Sequence, residues 1–305
     1  MGKGEINMAV ASGTANSVGD LMRRVAQFLT TAGNFTAGNE WQLMRPAVID
    51  SGTTEVILKG VGDGKDEIYV GMKIKDQGDE QQNILLNGFA GYDEHLEWYE
   101  QPGSIYQEKL PCIPLAKDVN LDYWFTANSS RFTLTVQMSN QYESGYVGFM
   151  KPIAIERQYP YPLVIGGSAY DGISWSNHGD GHSAYFTPFM QGGYSALCLR
   201  RPDGVWEYGG ENLTTWPNNT APVDTFTVYN KDEVEPTPED HMLYPIMLYE
   251  KVPTGMLGEL DGVYWIGNRA DLAAKDNVIY NGVTYKVFNN VYRREDDAYH
   301  VVEWR

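Results

Sequence analysis

Two histidines and an aspartate stand within five residues at His178-Gly179-Asp180-Gly181-His182, the one close cluster of metal-ligand side chains in the 305-residue chain. Three such groups with an open fourth position would suit a zinc-type site. The interleaved glycines make the stretch a loop, nothing nearby offers a matching fourth ligand, and the helical H-E-x-x-H spacing is absent. A solvent-exposed or interface loop without metal is the expectation. Paired acids at Asp296-Asp297 and at Glu233 and Glu235 have the side chains for glycoside hydrolysis, which uses two carboxyl groups. Both pairs sit in polar stretches that lack the desolvation needed to raise a carboxyl pKa. Asp63-Gly64-Lys65-Asp66 is too short for a calcium loop and has no closing glutamate. Gly166-Gly167-Ser168 has the composition of a phosphate-cradling turn, but it follows a proline-rich corner and no lysine-bearing helix comes after it. Trp175, Tyr185, Phe186, Phe189 and Tyr194 have the side chains of a sugar-stacking platform; their irregular spacing points instead to core or interface anchors. No G-x-S-x-G, G-x-x-x-x-G-K-[ST] or G-x-G-x-x-G motif occurs. The residues therefore predict a chain without enzymatic activity and with no catalytic, cofactor-binding or metal-ligating side chains.

Composition narrows the class further. Lys and Arg number 23 against 40 Asp and Glu, a net charge of −17 with a pI near 4.6. Such a chain is poorly suited to clamp nucleic acid, because that binding depends on cations that neutralise phosphates. An acidic wall can still repel a phosphate backbone and let it pass, and the alternative role of the acids is solubility. With 21 Tyr, 8 Trp, 32 Gly and 15 Pro, the chain suits a strand- and loop-rich protein with broad subunit contacts. Cys112 and Cys198 stand far apart and are read as free thiols of a protein assembled in a reducing cytoplasm. No secretory signal and no membrane-length apolar run is seen, so no membrane partner is expected.

These residues have to be positioned by elements that the periodicity predicts. Residues 1–16 are small and polar and read as a flexible arm. Val18, Leu21, Met22, Val25, Phe28 and Leu29 form one apolar helical face from Val18 to about Thr31, with Ser17 as cap, Asp20 in the first turn and Gly33 as stop. The period then becomes two. Strands are predicted at Trp41 to Arg45, Glu55 to Lys59, Glu67 to Lys75, Gln82 to Gly91 and through 122–154, where Asn128-Ser129-Ser130 supplies a turn. A short helix is predicted at Asp93 to Tyr99 and a proline-rich loop over 101–120. Further strands are predicted at Ser195 to Arg200, Val205 to Tyr208 and Phe226 to Asn230. Asn281-Gly282 between two β-rich runs is the strongest hairpin signal. The predicted fold class is α+β and strand-rich, with the N-terminal helix packed on an antiparallel sheet and a mostly β C-terminal region. The predicted organisation is an arm over 1–16, an α+β domain over 17–168 and a mostly β domain over 169–305. That last domain contains an acidic linker at 231–240 and a C-terminal β unit at 255–305.

The stretch Tyr123 to Ala169, with its aromatic hairpin around Asn128 to Arg131 and its Tyr159-Pro160-Tyr161-Pro162 corner leading to Ile165-Gly166-Gly167-Ser168, resembles a family of virion structural proteins of tailed bacteriophages. These come from the head–tail junction and tail. The resemblance extends to Glu67-Ile68-Tyr69-Val70-Gly71 and the N-terminal helix. It continues in Leu260-Asp261-Gly262-Val263-Tyr264-Trp265, Asn277-Val278-Ile279, Asn281-Gly282-Val283-Thr284-Tyr285-Lys286-Val287-Phe288 and Asn290-Val291-Tyr292-Arg293; Gly172 to Lys251 is less distinctive. It implies a structural subunit of the particle, assembled in the host cytoplasm, that forms a multi-copy ring at the neck or tail. A collar, gateway or tail-terminator-like role follows, with DNA passing through the lumen and with other copies and neighbouring neck or tail proteins as partners. A baseplate or capsid-decorating component and a carbohydrate-binding adhesin are the alternatives. An adhesin calls for a trimeric stalk, and the chain shows no heptads.

Overall fold

In the computed structural model of the chain, residues 8–46, 55–62, 67–78, 80–105, 110–153, 162–176, 185, 196–201, 203–209, 212–216, 243–252, 254–266, 272–291 and 299–305 are described. The predicted helix forms as α1, Val18–Thr30. Ser17 Oγ accepts from the Asp20 backbone N–H at 3.1 Å, and the Asp20 carboxylate in turn binds Arg24 Nε at 2.8 Å one turn on. Val18, Leu21, Met22, Val25 and Leu29 are buried. Extended backbone at Thr31 ends the helix two residues before Gly33, which lies in a 3-10 turn over Ala32–Asn34.

Among the described residues, the rest of the regular structure is antiparallel sheet apart from two short 3-10 turns. The central sheet runs in the order β1 (Ala9–Ala15), β7 (Leu121–Ala127), β8 (Arg131–Met138), β9 (Gln141–Phe149), β11 (Leu163–Gly167), β13 (Leu197–Arg200) and β14 (Trp206–Tyr208). An N-terminal sheet runs β12 (Ala169–Tyr170), β6 (Pro111–Ala116), β5 (Gln81–Phe89), β4 (Ile68–Gly78), β3 (Glu55–Gly60) and β2 (Gln42–Arg45). A C-terminal sheet runs β15 (Leu213–Trp216), β16 (Leu243–Lys251), β17 (Thr254–Ile266), β20 (Tyr299–Glu303), β19 (Val283–Asn289) and β18 (Asn277–Tyr280), with β10 (Lys151–Pro152) beside β17.

The α+β expectation is therefore corrected: among the described residues the chain is mostly β, three antiparallel sheets and one α-helix. The helix does pack as its apolar stripe demands, against β1, β7, β2 and β4. A single stripe covers only the margin of a sheet, however, and the cores are built by sheet on sheet. Side-chain alternation in the central sheet shows this. Tyr123, Phe125, Phe132, Leu134, Val136, Leu163, Ile165 and Cys198 join the core shared with α1 and the N-terminal sheet. Their neighbours Trp124, Val164, Leu197 and Leu199 join a second core with Leu248, Leu260, Trp265 and Phe288 of the C-terminal sheet. The central sheet is thus the middle of three layers.

Three local expectations change with it. Ala9–Ala15, read within a flexible arm, is an edge strand in unbroken register with β7. The short helix read over Asp93 to Tyr99 is only a 3-10 turn at Trp98–Glu100. The buried Gln101 side chain donates to the Asp93 and Leu96 carbonyls at 2.8 and 2.9 Å, so these oxygens are satisfied without a helix. The loop read over 101–120 contains β6. Pro114 is opposite Asn83 of β5, while β12 covers only Pro111 and Cys112, so a missing N–H at Pro114 disrupts no second ladder. The boundary read between 168 and 169 falls between β11 and β12. The central sheet draws strands from both sides of it, β11 from before and β13 from after. The strand read at Phe226 to Asn230 and the linker at 231–240 lie outside the described residues.

The hairpin at Asn281-Gly282 forms as read. Tyr280 pairs with Val283 across a two-residue turn, and φ is 49° at Asn281 and 78° at Gly282, the positive pair that a type I′ turn requires. Gly282→Val is expected to lower stability by more than about 1 kcal/mol, because a β-branched residue is strained there. Thermal unfolding tests this, and an unchanged melting temperature would contradict the turn.

Candidate functional site

The most elaborate polar arrangement lies between the central and C-terminal sheets. It begins at the Asn128-Ser129-Ser130 turn. Asn128 Oδ1 accepts from the backbone N–H groups of Ser130 and Arg131 at 2.8 and 2.9 Å, closing the turn through a side chain. The Asn128 Nδ2 group then donates to Asp261 Oδ2 of β17 at 2.8 Å. Arg131, the first residue of β8, is wholly buried on the face opposite Phe132. Its Nε lies 3.2 Å from Asp261 Oδ2, and its Nη1 donates to Thr126 Oγ1 at 2.7 Å. Lys151 Nζ reaches Asp261 Oδ1 at 2.7 Å from β10. The Asp261 backbone N–H donates to Tyr146 Oη at 3.1 Å, and Tyr146 donates to the Phe149 carbonyl at 2.7 Å.

Backbone geometry makes room for the guanidinium. Gly262 has a φ of +68°, and a Cβ there would collide with Arg131 Nη2. Burial alone would push the Asp261 carboxyl upward. The Arg131 and Lys151 charges and the hydrogen bonds from Lys151 and Asn128 outweigh it and bring the pKa down from 3.8 to about 2. The same Asp261 holds Lys151 protonated against its own desolvation. One carboxylate thus neutralises a buried arginine and ties the turn at Asn128, β8 and β10 to β17.

A second polar group lies in the same seam. His300 of β20 is buried against the rings of Tyr185 and Phe288, with centroids 4.6 and 6.0 Å away. Neither ring nitrogen has a hydrogen-bond partner among the described residues. Burial pushes its pKa down from 6.5 to about 3, so the imidazole is neutral at physiological pH. The central sheet faces the seam with further hydroxyls, Thr126 and Thr133 in mutual contact at 2.8 Å and Thr135 and Ser144 at 3.4 Å.

The residues that the sequence singled out are dispersed. Gly167 belongs to β11, and its N–H donates to the Ala196 carbonyl at 2.7 Å. The Ser168 hydroxyl donates to buried Glu143 Oε2 at 2.5 Å and accepts from the Ser144 N–H at 3.3 Å. Those groups serve the joint between sheets, not a phosphate. Trp175 packs on the first core and Tyr185 on the second, so no shared platform joins them. Phe186, Phe189, Tyr194, the His178–His182 loop, Asp63–Asp66, Glu233, Glu235, Asp296 and Asp297 lie outside the described residues. No cluster of His, Cys, Asp and Glu among the described residues is placed to hold a metal ion. Cys112 and Cys198 are both buried free thiols, and burial raises the pKa of each. A cleft of about 270 Å³ opens between α1 and β7, lined by Arg24, Gln27, Phe28, Asn34, Tyr123 and Phe125 among others. No helix among the described residues is long and apolar enough to cross a membrane.

Sequence reasoning passed over Arg131, Asp261 and His300. The available signal was faint: Arg131 falls on the polar phase of its strand with Thr133 and Thr135, where a charge is ordinary, and an Asp-Gly pair stands inside a strand run at 261–262. Fold and site together define a three-layer antiparallel β protein whose layers are joined by a buried charge cluster. No protein-family model matches the chain, and no curated protein matches it.

Proposed function

We propose that the chain is a non-enzymatic structural subunit of a tailed-phage particle. It builds a multi-copy ring at the neck or tail, in a collar, gateway or tail-terminator-like position through which DNA passes. The observation that carries the reading is the use to which the polar side chains are put. Arg131, Asp261 and Lys151 join two sheets, and Ser168 and Glu143 are bonded to each other in a buried joint. A scaffold stiffened in this way suits a subunit whose work is contact with copies of itself, as closed symmetric assemblies require. The resemblance carried by residues 123–169 and 260–293 supports the particle itself. The net charge of −17 suits a surface past which phosphates slide, because like charge prevents sticking.

An averaged image of the particle tests the proposal. A ring of six-fold or twelve-fold symmetry on the tail axis is expected, with carboxylates facing the lumen. Isolated trimers on the capsid lattice, a baseplate position, or a lumen lined by Lys and Arg would overturn it.

A further inference from the structure

The outer edge of β1 is an unguarded template for another strand. Among the described residues no strand pairs with that edge, and Ser12, Gly13 and Thr14 are exposed. Natural edge strands are protected by brevity, charge, proline or a bulge. The other described sheet edges follow that rule. β12 and β14 have two and three residues, β15 and β18 have four, and β2 has four with Arg45 and a register break. By contrast, β1 has seven residues, Ala-Val-Ala-Ser-Gly-Thr-Ala, with no charge, no proline and continuous register.

We infer that β1 is a self-association strand, pairing antiparallel with β1 of a second copy across a two-fold axis at Ser12. The occupant follows from charge and length. Copies that each carry a net −17 repel one another, so their contact must fall on a strip free of carboxylates. Such an edge also needs a complement that is itself long, extended and unguarded, and β1 is the described edge of this chain that meets that requirement. Asp122 on the adjoining strand is engaged by Thr14 Oγ1 at 2.6 Å. Two-fold pairing satisfies the outward N–H and C=O groups of both strands and joins two seven-stranded central sheets. The contact stands apart from the ring reading, since it forms equally in a free dimer and between two stacked rings.

In this arrangement the two Ser12 side chains lie directly opposite each other on one face. Ser12→Lys and Ser12→Glu each place like charges together, and each is expected to weaken self-association by about fivefold. Mixed in equal amounts, the two variants place opposite charges together and should associate about tenfold more tightly than either alone. At concentrations low enough for all to be monomeric, both should keep the wild-type melting temperature, because Ser12 is exposed. Sedimentation velocity over a concentration series reads the wild type, the two variants and their mixture. A monomeric wild-type chain, single variants that associate like wild type, or a mixture no tighter than its components would each overturn the proposal.

Discussion

Asp261→Ala is expected to cost about 3–5 kcal/mol at neutral pH, the loss seen when one partner of a buried ion pair is removed. The cost arises on the other side of the pair. Arg131 is wholly buried and, among the described residues, would keep only the Thr126 hydroxyl as partner for its guanidinium. Lys151 would also lose its short contact, but at 49% side-chain exposure it can turn to water, so its share is small. Asp261→Asn preserves the shape and removes the charge, and is expected to fall between wild type and alanine. Denaturant unfolding at pH 7 measures all three proteins. A loss below about 1 kcal/mol for the alanine variant would show that the cluster does not hold the sheets together. The linkage has a definite sign. Asp261 has a lowered pKa, so its contribution is present above 3.8 and disappears as pH falls through about 2.

The second large effect belongs to His300. A histidine held neutral by burial is protonated more readily in the unfolded chain, so acid favours unfolding. Its contribution is fully present above pH 6.5 and is lost as pH falls toward 3, an interval worth up to about 5 kcal/mol. This window opens well above that of Asp261, which begins only at 3.8, so the two are separable above pH 4. His300→Phe keeps a ring beside Tyr185 and Phe288 and removes both unpartnered nitrogens. The variant is expected to show a much flatter stability profile between pH 6.5 and 4 than wild type, whatever its stability at pH 8. Identical slopes in the two proteins would mean that His300 is not the group whose protonation drives acid unfolding.

Both effects come from a seam between layers, and the sequence marked neither residue. What it did mark were features governed by neighbours in the chain. The helix at Val18–Thr30 with its Ser17 cap, the turn at Asn128 to Ser130 and the hairpin at Asn281-Gly282 are of this kind. Caps, Asx turns and type I′ turns are closed by atoms a few residues apart, so local residue type is enough to specify them. Edge strand β1 was not legible, because short side chains without strong alternation carry no period; its partner β7 supplies the register from over a hundred positions away. β6 was hidden by Pro111 and Pro114, whose tolerance depends on how far β12 reaches along it. The α+β reading failed for a related reason. A clear amphipathic helix shows that some sheet lies beneath it, not how many sheets stack beyond.

Sequence by itself therefore determined an acidic, aromatic-rich chain of antiparallel strands with one capped helix and a tight C-terminal hairpin. Only the tertiary structure decided that the strands form three layers, that Arg131 of β8 meets Asp261 of β17, and that His300 is buried against Tyr185 and Phe288. The physical reason is one of range. Turns and helix caps are satisfied within one or two turns of chain, whereas desolvation and charge pairing depend on which surfaces are brought together, and Arg131 and Asp261 are 130 residues apart.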